Sequence, residues 1–129
     1  MGTSELHMTQ DAGQEMKAWM RADLIAAMKA GRTGEAKLIR ALVAAIDNAE
    51  APPLPAGHRA ADQHQFRDGS AEIERLSLCS AQVRAVLAAE IEERERAADE
   101  MRRLQKPDRA DALDAEAQFA RRYVEISGE

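Results

Sequence analysis

The stretch from Cys79 to Lys106, CSAQVRAVLAAEIEERERAADEMRRLQK, constrains the fold of this chain more than any other. Val83, Val86, Leu87, Ile91, Ala98 and Met101 recur at steps of three and four, with Glu90 and Arg94 set among them. That spacing predicts a long amphipathic helix with one apolar stripe. Acids precede bases by four residues at Glu90–Arg94, Glu92–Arg96 and Asp99–Arg103. This is the favourable orientation, worth ~0.2–0.5 kcal/mol per pair. The stripe must be buried against other elements, and no run of alternating β-branched residues offers a sheet for it. The expectation is an all-α protein.

Composition agrees. Ala, Leu, Glu, Arg and Lys dominate, and Trp19, Phe66, Phe119 and Tyr123 are the whole aromatic complement. A core of Ala, Leu, Ile, Val and Met favours closely packed helices. A length of 129 residues suggests one domain with a modest core. The net charge of −5 has the wrong sign for coating nucleic acid by charge alone. No DNA partner is expected, and tRNA binding is expected to be weak. Cys79 is the single cysteine, so an intrachain disulfide and a cysteine zinc site are excluded, which fits a reducing cytosol. No apolar run reaches the ~18–20 residues of a membrane span, and the N-terminus lacks the apolar centre of a signal peptide. The expectation is a soluble, cytoplasmic protein with no membrane partner.

Residues 1–13 carry no helical stripe and read as a mobile tail, in which Met8 is an alternative start and Met1–His7 an upstream extension. From Gln14 a helix is predicted with Met16, Met20, Leu24, Ala27 and Met28 on its buried face and Trp19 half-buried at the edge. Gly31 is its C-cap. Thr33 is then a natural N-cap for a second helix, Gly34 to Ala49, packing through Ala36, Ile39, Leu42, Val43 and Ile46. The short break between them predicts an antiparallel hairpin over 14–50.

The prolines of APPLPAG end that hairpin. Residues 51–78 read as a connector with a short helical turn near Ala60 to Phe66, and Ile73, Leu76 and Leu78 available to pin it to the core. His58 and His64 lack carboxylates at ligand spacing and read as solvated, not metal-binding. Cys79 or Ser80 caps the long helix, with Gln82 reaching back. Pro107 opens a last helix that buries Ala110, Leu113, Ala117, Ala120 and Val124, flanked by Phe119 and Tyr123. The second hairpin is thus 79–126. The expected architecture is two antiparallel helical hairpins packed as a small bundle and linked by a proline-rich loop.

Sequence motifs for catalysis are missing: there is no glycine-rich phosphate loop, no G-x-S-x-G and no H-E-x-x-H. Cys79 has no evident histidine to activate it. No catalytic, cofactor-binding or metal-binding residue is predicted. The one constellation that stands out is Arg40, Glu90, Arg94 and Glu116, charged residues beside apolar stripes that are expected to form a partly buried network between helices.

Two segments carry a resemblance. The run RADLIAAMKAGRTGEAKLIRALVAAIDNAE, Arg21 to Glu50, resembles the opening hairpin of the YqeY family. That family is similar to the C-terminal part of the B subunit of aspartyl/glutamyl-tRNA amidotransferase, GatB. The second segment is LSLCSAQVRAVLAAEIEERERAADEM, Leu76 to Met101, continued by DRADALDAEAQFARRYV. Asp23, Leu24, Ala27, Met28, Lys29, Arg40, Ala49, Glu50, Val83, Glu90, Ile91, Arg94, Leu113, Glu116, Tyr123 and Val124 carry the match. The resemblance implies an all-helical fold and a link to tRNA-dependent amidation. The glutamine-dependent carbon–nitrogen ligation belongs to the whole amidotransferase, so it implies a module that works through protein partners. In the family, the equivalent of Tyr123-Val124 runs into a proline and a helical tail associated with tRNA; here Glu125-Ile-Ser-Gly-Glu129 follows instead. The alternative functions are a tRNA-binding accessory factor, which needs a basic cluster on one face, and a component of a carbon–nitrogen ligase, which needs a pocket of converging polar groups.

Overall fold

The computed structural model describes residues 11–52 and 75–127. Within them lie four α-helices and no strands: α1 (Ala12–Ala30), α2 (Thr33–Glu50), α3 (Ser80–Arg103) and α4 (Pro107–Ser127). The fold is all-α. Helices α1 and α2 pack as one antiparallel hairpin and α3 and α4 as another, the latter sharing the most extensive interface. The expected turn near Ala60, together with Ile73, His58 and His64, lies outside the described residues.

Both hairpin turns are made by a left-handed residue just past a helix. After α1, Gly31 at φ 76° lets its own N–H reach the Met28 carbonyl, while the Arg32 N–H reaches that of Ala27. After α3 the same pair of bonds recurs, Gln105 N–H to Arg102 and Lys106 N–H to Met101, but at Gln105 with φ 62°. Both satisfy carbonyls that the helix end would orphan. Only the first uses the residue that adopts this conformation without a Cβ penalty.

The main core joins all four helices. Met16 and Met20 of α1 meet Leu38, Ile39, Leu42 and Ile46 of α2, Val83, Leu87 and Ile91 of α3, and Ala117, Ala120 and Tyr123 of α4. Leu78 is buried here, as expected of the connector, whereas Leu76 is exposed and contributes only its N–H, bonded to the Glu50 carbonyl. A smaller cluster of Ala98, Ala110 and Leu113 sits farther along the second hairpin.

Several local expectations shift. The first helix begins at Ala12, inside the segment read as tail, and α4 runs to Ser127. Thr33 is the first helical residue, not the cap, and Arg32 precedes it with no side-chain capping bond. Met28, expected on the buried face, is 54% exposed, whereas Trp19, expected half-buried at the edge, is 53% exposed. Tyr123, read as a flank, is buried in the stripe, while Val124 is only partly covered. Of the three charge pairs, Glu90–Arg94 and Glu92–Arg96 form, but Arg103 pairs with Glu100 and Asp99 with Arg102. Gln82 does reach back, its Oε1 accepting the Cys79 N–H at 2.8 Å.

Candidate functional site

The first turns of α2 lie across the middle of α3 and the first half of α4. Between them is an open groove of about 660 Å³, lined by Gly34, Lys37, Leu38 and Ala41 of α2, Glu90, Glu93, Arg94 and Ala97 of α3, and Arg109, Leu113 and Glu116 of α4. Its volume is within the range of ligand-binding clefts, ~300–1,000 Å³. The lining holds three cations and three carboxylates, and is formally neutral within an acidic chain.

Arg94 organises one wall. Its Nε donates to Glu116 Oε1 at 3.0 Å, across from α3 to α4. Its Nη1 donates to Glu90 Oε1 at 2.9 Å and to the Glu90 carbonyl at 3.0 Å, one turn back along its own helix. The Arg94 side chain is only 15% exposed. Three hydrogen bonds therefore fix a largely buried guanidinium in one orientation. The structure brings together Glu90, Arg94 and Glu116 of the expected network, and does not bring Arg40 to them. Arg40 is exposed on α2, with its Nη2 at 3.5 Å from the Met28 sulfur. It covers the side of the first hairpin instead.

A second polar cluster was not anticipated from the sequence. Lys17 and Glu50 are the two buried charged residues among those described, at 2% and 1% exposure. The Lys17 ammonium donates to Glu50 Oε1 at 2.6 Å and to Asp47 Oδ1 at 2.5 Å. Gln14 Nε2 donates to both Glu50 oxygens, at 3.1 and 3.0 Å, and Arg75 Nη1 stands 3.6 Å from both Asp47 and Glu50. The hydrogen bond from Lys17 holds the Asp47 carboxyl below its ordinary pKa against the opposing effect of burial, aided by the charges of Lys17, Arg75 and Arg21. Gly13 is required beside it, because a Cβ there would stand 2.5 Å from Glu50 Oε2. The cluster ties the start of α1 to the end of α2. Its signal in the sequence is positional: Lys17 and Glu50 stand at core-facing steps of the Met20–Leu24–Ala27 and Ile39–Val43–Ile46 stripes, with opposite signs.

A third contact closes the bundle. The Tyr123 hydroxyl of α4 donates to Asp23 Oδ2 of α1 at 2.5 Å. Burial, then the bond to Asp23, push the Tyr123 hydroxyl pKa upward. Elsewhere on the second hairpin, Arg102 bridges to Asp111 and Asp114, Arg121 pairs with Glu95, and the Arg122 guanidinium lies 4.2 Å over the Phe119 ring. Arg102 thus sits near the α3–α4 turn and Arg121 farther from it, beside Glu95.

Chemically, the groove can hold and orient a polar group over an apolar floor. Among the described residues no group of three or more His, Cys, Asp or Glu is placed to hold a metal ion, and no described helix is long and apolar enough to cross a membrane. Cys79 is exposed at the start of α3. Compared with known proteins, the chain matches no family model, no curated protein and no solved structure.

Proposed function

We propose that this chain is a non-catalytic helical module of the YqeY type that acts in the cytosol by binding a protein partner in the α2–α3–α4 groove. The groove itself carries the reading. Its apolar lining of Leu38, Ala41, Ala97 and Leu113 is flanked on one wall by Glu90, Arg94 and Glu116, already fixed by hydrogen bonds, the pattern of a preformed recognition site. Support for the family assignment comes from where the resembling residues fall. Glu90, Arg94 and Glu116 meet at the groove wall and Asp23 meets Tyr123, so several of the residues that carry the resemblance fasten helix to helix. A link to tRNA-dependent amidation belongs to the same proposal, with the module presenting a surface to that machinery. The accessory-factor alternative has less support, since the groove is formally neutral and Arg102 and Arg121 are engaged by carboxylates.

The test replaces Ala97 with a photo-crosslinking residue in the full chain, and the exposed Ala85 of α3, outside the groove, as control. Irradiation in native cytosol should give a protein adduct from position 97 that is absent from position 85 and lost with Arg94→Met. RNA adducts alone would favour the accessory factor. Equal adducts from both positions would refute the groove as the site.

A further inference from the structure

We infer that the chain associates head to tail with a second copy of itself, an exposed face of its first hairpin docking in a separate groove on the neighbour's second hairpin. Neither surface shares a residue with the groove between α2, α3 and α4, so the contact does not depend on a partner bound there. Ile25 and Met28 of α1 are 55% and 54% exposed and lie one helical turn apart. Of the large apolar side chains exposed among the described residues, they are the pair that share a helix face. Cations frame them. Arg21 and Lys29 stand four residues before and after Ile25, and Arg40 of α2 reaches Met28, its Nη2 at 3.5 Å from the sulfur. All three are exposed, and the nearby acids are already taken: Asp47 by Lys17, Glu35 by Arg32 and Asp23 by the Tyr123 hydroxyl. The face is thus positive, in a chain whose net charge is −5.

The complementary surface is on the other hairpin. Between α3 and α4 a groove of about 310 Å³ is lined by Ala88, Ile91 and Val124, together with Glu92, Glu95 and Glu125. Arg121 also lines it but is held by Glu95, so the lining is negative overall. Glu125 has no ion pair among the described residues. Glu92 has a contact with Arg96 at 3.7 Å, between side chains 69% and 72% exposed, which holds it weakly. Apolar side chains among cations on one surface therefore match an apolar trough among carboxylates on the other. That match within a single chain singles out a second copy as the occupant. Docking would take Ile25 and Met28 out of water, with the pliable methionine fitting the trough, while the cations approach Glu92 and Glu125. Exposed charges set orientation and speed of approach more than affinity, so the contact is a transient one. Face and groove are different surfaces, which makes the contact heterologous: a dimer keeps one free face and one free groove, and further copies add to either.

The experiment is sedimentation velocity of the full chain at concentrations rising to about 1 mM. The average mass of the parent should rise with concentration, and raising salt from about 0.05 to about 0.5 M should weaken the association several-fold. Ile25→Glu with Met28→Glu removes the face, and Glu92→Lys with Glu125→Lys removes the groove. These side chains are exposed, so both double variants should keep the circular dichroism of the parent, and each alone should stay monomeric. Mixed one to one, they should form a dimer that grows no further, because one intact face and one intact groove remain between them. A parent that stays monomeric, association that survives either double variant or is indifferent to salt, or a mixture that stays monomeric overturns head-to-tail association. If the parent is monomeric but anionic vesicles or tRNA bind it through Ile25 and Met28, the face belongs to a polyanion instead.

Discussion

Replacing Lys17 by methionine should destabilise the fold more than any other single truncation of a charged side chain described here. Lys17 and Glu50 lie 2.6 Å apart with side chains 3% and 1% exposed. At an effective dielectric of ~20 their attraction is about 6 kcal/mol, of the same order as the desolvation of the two ions. The intact pair therefore contributes little net stability. Removing Lys17 alone is different, because it leaves the Glu50 carboxylate buried without its counter-ion, a loss of roughly 3–5 kcal/mol. The lower end applies here. Gln14 still donates to both Glu50 oxygens, and the exposed Arg75 guanidinium, 3.6 Å away, can close in. A loss of about 3 kcal/mol is a large share of the ~5–15 kcal/mol that holds a domain together. Urea unfolding followed by far-ultraviolet circular dichroism should show the midpoint falling by ~1–3 M, for a slope of ~1–3 kcal/mol per molar. Trp19 fluorescence is the poorer probe, since that residue is already 53% exposed. The double variant Lys17→Met with Glu50→Met should recover at least half of the loss. Purely additive losses, or a Lys17→Met cost below ~1 kcal/mol, would refute the cluster as a buried, coupled pair.

Arg94→Met and Glu116→Gln, combined in the same kind of cycle, should be coupled by about 1 kcal/mol, less than the Lys17 pair because Glu116 is 34% exposed. Gln105→Gly should stabilise the chain by roughly 0.5–1 kcal/mol by relieving a left-handed φ of 62°, read as a rise in melting temperature. Asp47 titrates below its ordinary value of 3.8 when folded, so its contribution is complete above that value and is lost as pH falls through the lower, folded one. Acid unfolding of Asp47→Asn should therefore be less steep than that of the parent, and an identical slope would remove this carboxylate from the acid-side loss. Ile91→Asp, at a position 7% exposed in the main core, should lose several kcal/mol, and an unchanged melting curve would contradict the orientation of α3.

Periodicity identified the four helices because each stripe repeats over at least four turns. It also paired them correctly, because the two turns are short. What it reports, however, is which residues share a face, not how far along the helix a neighbour continues. Met28 falls on the buried side of α1 by count, yet it sits in the last turn, where it is exposed. Arg40 flanks its stripe in the same way and ends against Met28 instead of Arg94's carboxylates. Arg94 and Glu116 were recognisable because each stands next to apolar positions on helices expected to be neighbours. Lys17 and Glu50 were open to the same argument, but a charge inside a stripe reads as an interruption until a charge of opposite sign is found facing it. The groove was not legible at all. It depends on the relative placement of the two hairpins, to which the weak periodicity of the connector's sequence gives no guide.

The Tyr123–Asp23 bond has a kinetic meaning. Most packing in this molecule is between helices adjacent in the chain, which can form early and locally, whereas this bond spans 100 residues. Loop-closure entropy places such a contact late, after each hairpin exists and the two have docked. An interaction made after the rate-limiting barrier does little for the speed of folding and acts almost wholly on the speed of opening. The hydroxyl of Tyr123 is thus a latch on the lifetime of the native bundle, setting how often the two hairpins part and, with them, how long the groove between them persists.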